Sequence, residues 1–542
     1  MSVDVVIVGA GPAGLMLACE LALAGVQPIV LERRDEPSTE PKANGLLGQV
    51  VRVIDHRGLH ERLAGSSEPP SPNSAYFMFG GLGLDLSLLT HSPVYAVPAT
   101  QRAIEAMLEE RAGELKVRIR RGHELVGMDP DEDGITLRVA TTEGEYELRT
   151  RFAVGADGAH SATRKLAGID FPGVHHDRMT VRSAHVTLPP EGIDPGTGML
   201  QVPGYGPVPP FLPHRTERGG FSYAPLPGQP PLLTTTEWDQ PEPASSMTLA
   251  ELGDSIRRVL GAEVPLQEPR GPGPHVLRRM TGGHTRLATR YADRGVFLIG
   301  DAAHLFGATG GGPGLNLGLQ DAVNLGWKLA SAIRGDAPAD LLPSFETERR
   351  AAAERMIVNA RAQAALIAPG SDVTGLRELF AELLRDPAVV ARLAALTAGA
   401  DVRYDMGPES THAYAGRFSP DLSVQTAAGS VRVAELTHSA RPLLVDMTPA
   451  GIFAEALASW GDRVDVVHGR LIAAASPTSP DQEPADQGTL PSALLLRPDC
   501  YVAWASSTHH PDRTEVENLH ATTTRWFGAP STMPVEGLRT TT

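Results

Sequence analysis

The chain opens with an apolar strand, a glycine-rich turn and a helix, and this order restricts the possible folds more than any other feature. Residues 5–8 read Val-Val-Ile-Val, which is typical of a strand buried on both faces of a parallel sheet. The turn has the spacing Gly9-x-Gly11-x-x-Gly14, and the following helix ends near Gly25. In such a unit the first glycine permits the tight turn, the second lets the backbone approach a pyrophosphate, and the third allows close helix packing. The phosphates then lie at the helix N-terminus, where free N–H groups attract them.

An acidic residue at the end of the second strand completes this unit. The strand at residues 28–31 ends in Glu32, about 20 residues beyond the turn, where an acid can bind a ribose hydroxyl. A glycine-rich turn can arise by chance, but here strand, glycines, helix, second strand and acid follow in the expected order. The sequence therefore predicts a site for an adenine dinucleotide.

The composition is that of an ordinary globular protein, with 42% hydrophobic and 21% charged residues, and 542 residues suffice for two or three domains. The 48 basic and 64 acidic residues give a net charge of −16, which argues against a nucleic-acid or anionic-membrane partner. With two cysteines and no His/Cys cluster, neither a disulfide framework nor a metal site is predicted. No signal peptide or long apolar run is recognisable, so a cytoplasmic location is expected.

The next segment predicts an amphipathic helix that ends near Gly58. One helical face is formed by apolar residues at positions 46, 47, 50, 53 and 54. Gln49, Arg52 and His56 fall on neighbouring turns of another face. From spacing alone, that second face is either functional or simply solvated.

Two further strand ends carry an acid. One apolar run leads to Asp157 and Gly158, which alone would be a turn followed by a helix cap. A later run leads to Asp301, followed by glycines at 310–314 and a helix from about residue 317. This second arrangement repeats the opening one, because a strand-end carboxylate can bind sugar hydroxyls while helix N–H groups face an electron-rich group.

Residues 175–280 differ in character, with alternating stretches and Pro-rich connections that predict antiparallel strands. Residues 69–98, rich in Gly, Pro and Ser, predict another excursion out of the nucleotide domain. The inserted sheet is expected to form a lid or wall for a substrate. His185, His214 and Trp238 are expected to pack within it rather than bind a ligand.

Three ordered motifs resemble those of the single-component flavoprotein aromatic monooxygenases, the para-hydroxybenzoate hydroxylase family, and more narrowly the hydroxylases that tailor aromatic polyketides. They are the glycine motif, Gly-Ala-Asp-Gly at 155–158 and Gly-Asp-Ala-Ala-His at 300–304. The resemblance covers the whole chain and implies an α/β fold, with a Rossmann-like FAD-binding domain, an inserted antiparallel β-sheet substrate domain and a C-terminal thioredoxin-like domain. The expected bounds are 1–70, 99–175 and 281–405 for the first domain, 71–98 and 176–280 for the second, and 406–542 for the third. Because the third lacks Cys-x-x-Cys, we expect a structural or interface role for it.

The resemblance also implies a set of contacts to non-covalently bound FAD. Gly9, Gly11 and Gly14 would contact the pyrophosphate, and Glu32 the adenosine ribose. The ribityl-phosphate side would be contacted by Gln101 and Asp301, and the flavin pyrimidine ring by the amides of Leu315 and Asn316. The remaining implied contacts are Ala13, Arg33, Lys42, Gln49, Leu125, Asp157, Pro313 and Gly314.

The chain departs from the family pattern beside the predicted flavin ring. Lys42 and Gln49 stand where the family usually has two arginines, and Arg52 follows one turn later. We treat Arg52 as the candidate catalytic residue, which could stabilise charge that develops on oxygen. The alternative is a surface arginine paired with Asp55 or Glu61.

The reaction implied by the resemblance begins with reduction of FAD by NADH or NADPH. O2 then gives a C4a-hydroperoxide, which must be kept from water and which hydroxylates a polycyclic aromatic, polyketide-type substrate. Two alternatives stay open. The same cofactor could carry out Baeyer–Villiger oxygen insertion or epoxidation, or the chain could bind a flavin that is not reduced in turnover. The oligomeric state is expected to be a monomer or a homodimer.

Overall fold

The computed structural model describes residues 2–38, 44–175, 178–225, 228–240, 245–271, 273–307, 313–472 and 490–530. Residues 2–175 form, in chain order, β1 Ser2–Val8, α1 Pro12–Leu23, β2 Ile29–Glu32, β3 Gly45–Leu47, α2 Gln49–Asp55, α3 His60–Ala64, β4 Tyr76–Phe79, β5 Leu82–Asp85, β6 Ala96–Pro98, α4 Gln101–Glu114, β7 Arg118–Arg121, β8 Glu124–Asp131, β9 Gly134–Thr141, β10 Gly144–Gly155, α5 Ala162–Leu166 and β11 Gly173–His175.

The middle of the chain forms β12 Met179–His185, β13 Leu200–Val202, β14 Gly206–Val208, β15 His214–Thr216, β16 Gly219–Ala224, β17 Leu232–Trp238, α6 Leu249–Leu260, β18 Leu277–Thr281, β19 His284–Leu287, β20 Ala292–Asp293, β21 Val296–Leu298 and β22 His304–Leu305. The remainder forms α7 Pro313–Arg334, α8 Ser344–Ile367, α9 Ser371–Leu383, α10 Pro387–Ala398, β23 Ser423–Thr426, β24 Gly429–Arg432, α11 Val433–Leu436, β25 Leu443–Asp446, α12 Ile452–Ala456, β26 Asp465–His468, β27 Arg470–Ile472, β28 Ala493–Leu496, β29 Val502–Ser506 and α13 Arg513–Phe527.

The main sheet has the order β20-β21-β10-β1-β2-β7, with β8 and β9 continuing antiparallel from β10. β1 is parallel to both β2 and β10, and β10 is parallel to β21. The side chains of Val5, Val6 and Ile7 are fully buried, as a central parallel strand requires. The predicted strand–turn–helix unit is confirmed, and α1 ends at Leu23, two residues before Gly25. The carboxyl ends of β1, β2, β10 and β21 therefore meet at one edge of the sheet.

The predicted helix around residues 42–58 is wrong in its first half. Residues 45–47 form strand β3, which pairs with β6, and the helix begins only at Gln49. Gly48 separates the two elements with a φ of +79°, and a Cβ on it would lie 2.2 Å from the carbonyl oxygen of Ala398. This close approach to the end of α10 is a long-range contact, which helical spacing does not reveal. Lys42 lies outside the described residues.

Residues 179–281 contain a five-stranded antiparallel sheet of order β15-β16-β17-β12-β18, as the alternating stretches indicate. Helix α6 packs on one face of it through Leu252, Ile256 and Val259. His185 and His214 are engaged inside the protein: His185 Nδ1 accepts from the amide of Val276, and His214 Nε2 lies 2.5 Å from the Tyr205 hydroxyl. Among the described residues, no helix is both long and apolar enough to cross a membrane.

The C-terminal region docks on the main domain through buried charges. It contains the sheet β26-β25-β28-β29, and Arg497 follows β28. Arg497 Nη1 donates to Glu348 Oε1 at 2.6 Å, its Nη2 donates to Glu348 Oε2 at 2.8 Å, and its Nε donates to Asp499 Oδ1 at 3.0 Å. Glu348 also accepts from Lys328 Nζ at 2.6 Å. Burial alone would raise the pKa of Glu348, but Arg497 and Lys328 lower it below its usual value.

We expect Arg497→Met to destabilise the protein by about 3–5 kcal/mol, because it leaves the buried carboxylates of Glu348 and Asp499 without their main cation. The matched control is Arg513→Met, which removes an equally short ion pair, Arg513–Glu517 at 2.6 Å, from an exposed helix face. Urea unfolding measures both variants. Equal unfolding midpoints for the two would contradict this account of the docking.

Candidate active site

The three glycines of the first turn differ in what surrounds each of them. A Cβ on Gly9, which has a φ of +108°, would lie 2.4 Å from the carbonyl oxygen of Ala156, and one on Gly14 would lie 2.0 Å from the carbonyl oxygen of Gly9. These two glycines are therefore required by contacts within the protein. Gly11 has a φ of −78°, which any residue adopts, and a Cβ there would meet no protein atom within 4 Å. The open space at Gly11 lies at the start of α1, where a phosphate can accept from helix N–H groups.

Glu32 stands beside this turn, at the end of β2. Its Oε2 accepts from the amide of Ala10 at 2.9 Å, and its Oε1 accepts from the amide of Arg34 at 3.0 Å. The two bonds fix the carboxylate while each oxygen keeps a further lone pair for a ribose hydroxyl. Arg33, the next predicted contact, is exposed beside it.

Asp157 stabilises the turn that leads into α5, whose N-cap residue is Ser161. Its Oδ1 accepts from the Ser161 hydroxyl at 2.5 Å, and its Oδ2 accepts from the amide and the hydroxyl of Thr163 at 2.9 and 3.0 Å. The carboxylate therefore holds the turn between β10 and α5. A cofactor contact at this residue stays a prediction.

Two other predicted contacts lie on neighbouring elements of the main domain. Gln101 begins α4, and its Nε2 donates to Glu105 Oε1 at 2.8 Å within the helix. Leu125 lies in β8 and is buried in the main core. Their contacts to FAD also stay predictions.

The other end of the site is formed where Asp301 meets the start of α7. A Cβ on Gly314 would lie 3.2 Å from Asp301 Oδ1, and one on Gly300 would lie 3.3 Å from the Cβ of Ala13. The turn at 300–302 is therefore in contact with both α1 and α7. Pro313 opens α7, where its missing N–H costs nothing because the first helix amides have no helical partner.

Asn316 joins α7 to the end of β3. Its Oδ1 accepts from the amide of Leu47 at 3.2 Å, and the side chain is 6% exposed. The residues before α2 and the first turn of α7, which the sequence places far apart, thus become neighbours. Gln49 begins α2, directly after this segment, and Leu315 lies in the first turn of α7.

A buried carboxylate that the sequence-based analysis did not assign holds this end together. Asp321 Oδ2 accepts from the amide of Gly300 at 3.1 Å and from His304 Nε2 at 2.7 Å, while its Oδ1 accepts from Arg349 Nε at 2.8 Å. All three side chains are fully buried. Burial alone would raise the pKa of Asp321, but His304 and Arg349 lower it below its usual value. The available signal in the sequence was that Asp321 is the one acidic residue of α7.

A cavity adjoins the first turn of α7. Its walls come from that turn, from α8, from the end of α10 and from β4, and its lining residues include Leu47, Phe77, Asn316, Leu317, Met356 and Leu396. None of the described residues that line this cavity belongs to 179–281, and the substrate-wall role of that sheet stays a prediction. The cavity combines an apolar surface with the flavin end of the predicted site, which is the arrangement that a small-molecule pocket needs.

Arg52 is buried at the contact with the C-terminal region. Its Nη1 donates to Gln49 Oε1 at 3.1 Å, its Nη2 donates to the carbonyl oxygen of Ser419, and its guanidinium lies 4.8 Å from the centre of the Phe418 ring. The alternative of a surface arginine paired with Asp55 or Glu61 is wrong, because Arg52 is 5% exposed and Asp55 is bonded to Arg432 at 2.9 Å. The catalytic role of Arg52 stays a prediction.

Comparison with known protein families accounts for both halves of the chain. A family model described as "FAD binding domain" matches residues 2–360, and one described as "Aromatic-ring hydroxylase, C-terminal" matches residues 412–530. The chain belongs to the FAD-dependent aromatic-ring hydroxylases. FAD is its cofactor, and its activity is that of a monooxygenase.

Several relatives are similar over the full length. The chain is 38% identical over 535 residues to a 12-dehydrotetracycline 5-monooxygenase/anhydrotetracycline 6-monooxygenase of Streptomyces rimosus, covering 98% of this chain and 100% of that one. It is 33% identical over 530 residues to a dialkyldecalin synthase of Streptomyces rugosporus, covering 97% and 99%. The solved structure of OxyS anhydrotetracycline hydroxylase from Streptomyces rimosus aligns with a TM-score of 0.81 and 36% identity, covering 98% and 100%.

The residues present fit the cofactor. The pyrophosphate would fit the open space at Gly11, a ribose hydroxyl would bind the fixed carboxylate of Glu32, and the flavin side would lie where Asp301 is close to Gly314. These groups lie on the carboxyl edge of the parallel strands, where such folds bind nucleotides.

We expect Gly11→Val to abolish FAD binding without unfolding the protein, because the added side chain fills space that no protein atom occupies. Gly113→Val is the matched control: a Cβ there also meets no atom within 4 Å, but Gly113 lies on the exposed side of α4. The FAD-to-protein ratio is read from absorbance, and folding from circular dichroism. A stoichiometric yellow Gly11→Val protein would refute the assignment of the pyrophosphate.

We expect Arg52→Ala to lower the free energy of unfolding by about 1–3 kcal/mol, because the buried carbonyl of Ser419 loses its donor. Turnover and product per NAD(P)H, measured on the same variant, test its catalytic role. A loss of about 10²-fold in kcat is the scale for one removed transition-state donor. Unchanged turnover and coupling would leave Arg52 with the interface role alone.

Proposed function

We propose that this monooxygenase hydroxylates a polycyclic aromatic substrate of the polyketide class. The anhydrotetracycline activity of the relatives supports this substrate class, and the cavity beside the first turn of α7 is the observation that carries it. The reaction consumes one NAD(P)H, one proton and one O2, places one oxygen atom in the new hydroxyl group and releases the other as water. Bound FAD supplies the activation of O2 and the transfer of its oxygen atom.

The residues of this chain bind and orient the reacting groups and keep water away from them. The first amides of α7 face the end of the site where the flavin pyrimidine ring is proposed to lie, and a helix N-terminus stabilises negative charge there by roughly 0.3–2 kcal/mol. Apolar side chains of β3, β4, α8 and α10 form part of the cavity lining, including Leu47, Phe77, Met356 and Leu396, and would limit the access of water there. Water exclusion favours transfer of oxygen to the substrate over loss of hydrogen peroxide.

The domain division completes this proposal. Residues 1–70, 99–175 and 281–405 would bind FAD, residues 71–98 and 176–280 would bind substrate, and residues 406–542 would form a thioredoxin-like domain. The hairpin β4–β5 supports the second assignment in part, because Phe77 and Met78 line the cavity. The four-stranded sheet β26-β25-β28-β29 and helix α13 support the third.

A second candidate is a reaction in which FAD is bound but not reduced. It is favoured by the relative named a dialkyldecalin synthase, a name that denotes no oxidation, at 33% identity over nearly the whole chain. The two candidates differ in whether the bound FAD is reduced and whether an oxygen atom is transferred to the substrate.

We expect NADPH or NADH to bleach the yellow protein under anaerobic conditions, and to do so faster when anhydrotetracycline is present. Admission of isotopically labelled O2 should then restore the colour and yield a product heavier by one labelled oxygen atom. Dithionite serves as the positive control for reducibility of the bound flavin. A flavin that dithionite reduces but that neither nucleotide reduces, with or without substrate, would instead favour the second candidate.

A further inference from the structure

The hairpin β4–β5 forms one wall of the cavity beside α7 and belongs to no larger sheet in the described part of the chain. Phe77 and Met78, in the first strand of the hairpin, line the cavity. A two-stranded hairpin is only marginally stable by itself, so contacts with the rest of the protein must fix its position. The position of this cavity wall therefore depends on the groups that bind the hairpin.

The turn of the hairpin is bound by an arginine of α9. Arg377 Nη1 donates to the carbonyl oxygen of Gly80 at 2.6 Å, and its Nη2 donates to that of Gly81 at 3.0 Å. Nη1 also donates to the carbonyl oxygen of Leu366, in the last turn of α8, at 2.8 Å. One guanidinium thus joins both turn residues to α8. Because the three acceptors diverge, they require the planar fork of donors that arginine has and lysine lacks.

The same turn is in contact with two further segments. The amide of Gly80 donates to Gln363 Oε1 at 3.2 Å, and Gln363 lines the cavity. Gly81 has a φ of +71°, and a Cβ on it would lie 2.7 Å from the carbonyl oxygen of Pro213, in the segment before β15. The turn therefore lies where α8, α9 and the inserted sheet domain meet.

The inserted sheet also holds the start of α9. Arg215 in β15 donates from Nη1 to the Thr374 hydroxyl and from Nη2 to the carbonyl oxygen of Gly370, both at 2.7 Å. Its Nε donates to the carbonyl oxygen of Ala368 at 3.0 Å. Thr374 lies one helical turn before Arg377, so Arg215 fixes the segment that carries Arg377. These contacts give the sheet a route to the cavity, although the described lining includes no residue of 179–281.

We propose that Arg377 is a positioning residue for oxygen transfer, which keeps the cavity wall formed by Phe77 and Met78 closed through the turn of β4–β5. This inference rests on the proposed function, in which water must be kept from the reacting flavin. Arg377 is not among the described residues that line the cavity, so it acts through the hairpin. Loss of its three bonds frees the hairpin to move and lets solvent reach the flavin end of the cavity.

The test measures how strongly iodide quenches the fluorescence of FAD in the FAD-loaded protein, because iodide must reach the flavin through solvent. Two variants perturb the turn in independent ways. Arg377→Lys keeps the positive charge, and with it the local attraction of iodide, but removes the fork of donors. Gly81→Ala leaves Arg377 in place and pushes the turn away from the carbonyl oxygen of Pro213. We expect each variant to raise the quenching constant by about three- to tenfold, the range that corresponds to one lost hydrogen bond.

Each variant has a matched control. Arg463→Lys also removes a half-buried guanidinium from a backbone carbonyl, since Arg463 Nη1 donates to Phe527 at 2.8 Å, but neither residue is among those that line the cavity. Gly65→Ala introduces the same backbone strain as Gly81→Ala, because Gly65 has a φ of +69°, but a Cβ there meets no atom within 4 Å. Both controls should keep the wild-type quenching constant.

Two results overturn the inference. One is a wild-type quenching constant in Arg377→Lys, or in Gly81→Ala should Arg377→Lys fail to bind FAD. The other is an equal rise in Arg463→Lys and Arg377→Lys, which would show a general loosening of the protein rather than an effect of the hairpin.

The quenching measurement is independent of the test of oxygen transfer. A protein that NAD(P)H reduces and that incorporates labelled oxygen, but whose turn variants are quenched like the wild type, keeps the proposed function and overturns the role of Arg377. A protein whose turn variants are quenched more strongly, but that no nucleotide reduces, keeps Arg377 as the residue that closes the cavity and overturns hydroxylation.

Discussion

The buried carboxylate of Asp321 is the constraint on which the geometry of the flavin end depends. It joins the 300–302 turn, His304 and α8, and Arg349 continues the network with bonds to the Tyr404 hydroxyl at 2.7 Å and the Leu317 carbonyl at 3.3 Å. A carboxylate with no exposure is tolerable only with such partners, because an unpaired buried charge costs several kcal/mol. The position of Asp301 relative to the start of α7 is therefore set by a network that lies behind the site.

Buried charged groups with hydrogen-bond partners also attach the C-terminal region to the main domain. Arg57 Nε and Nη2 donate to the two carboxylate oxygens of Glu20 in α1, at 2.6 and 2.8 Å, and Nη2 and Nη1 also donate to the carbonyl oxygens of Pro498 and Thr437. One arginine thus ties the helix of the glycine motif to the C-terminal chain. Together with the bonds from Arg497 to Glu348 in α8, these bonds orient the C-terminal region on the main domain, because charge-assisted hydrogen bonds are directional. Neither Arg57 nor Arg497 is among the described residues that line the cavity.

Features that depend on neighbouring residues in the sequence could be predicted, and features that depend on contacts between distant parts of the chain could not. The opening unit, Glu32 and the strand before Asp301 were predictable, because each rests on local order along the chain. The segment before α2 was not, because a strand replaces the expected helix where Gly48 meets the end of α10, some 350 residues away along the chain. The role of Asp321 was missed for the same reason. It depends on partners that only the folded chain defines.

The charge on Asp321 also bears on the chemistry of the site. The residue lies eight positions after Pro313 in α7, or about 12 Å along the helix axis from its N-terminus. An uncompensated carboxylate at that distance in a low-dielectric interior would oppose the positive end of the helix dipole. Because Arg349 is paired with Asp321 at 2.8 Å, the charge of this carboxylate is compensated and does not oppose the helix dipole at the first turn of α7.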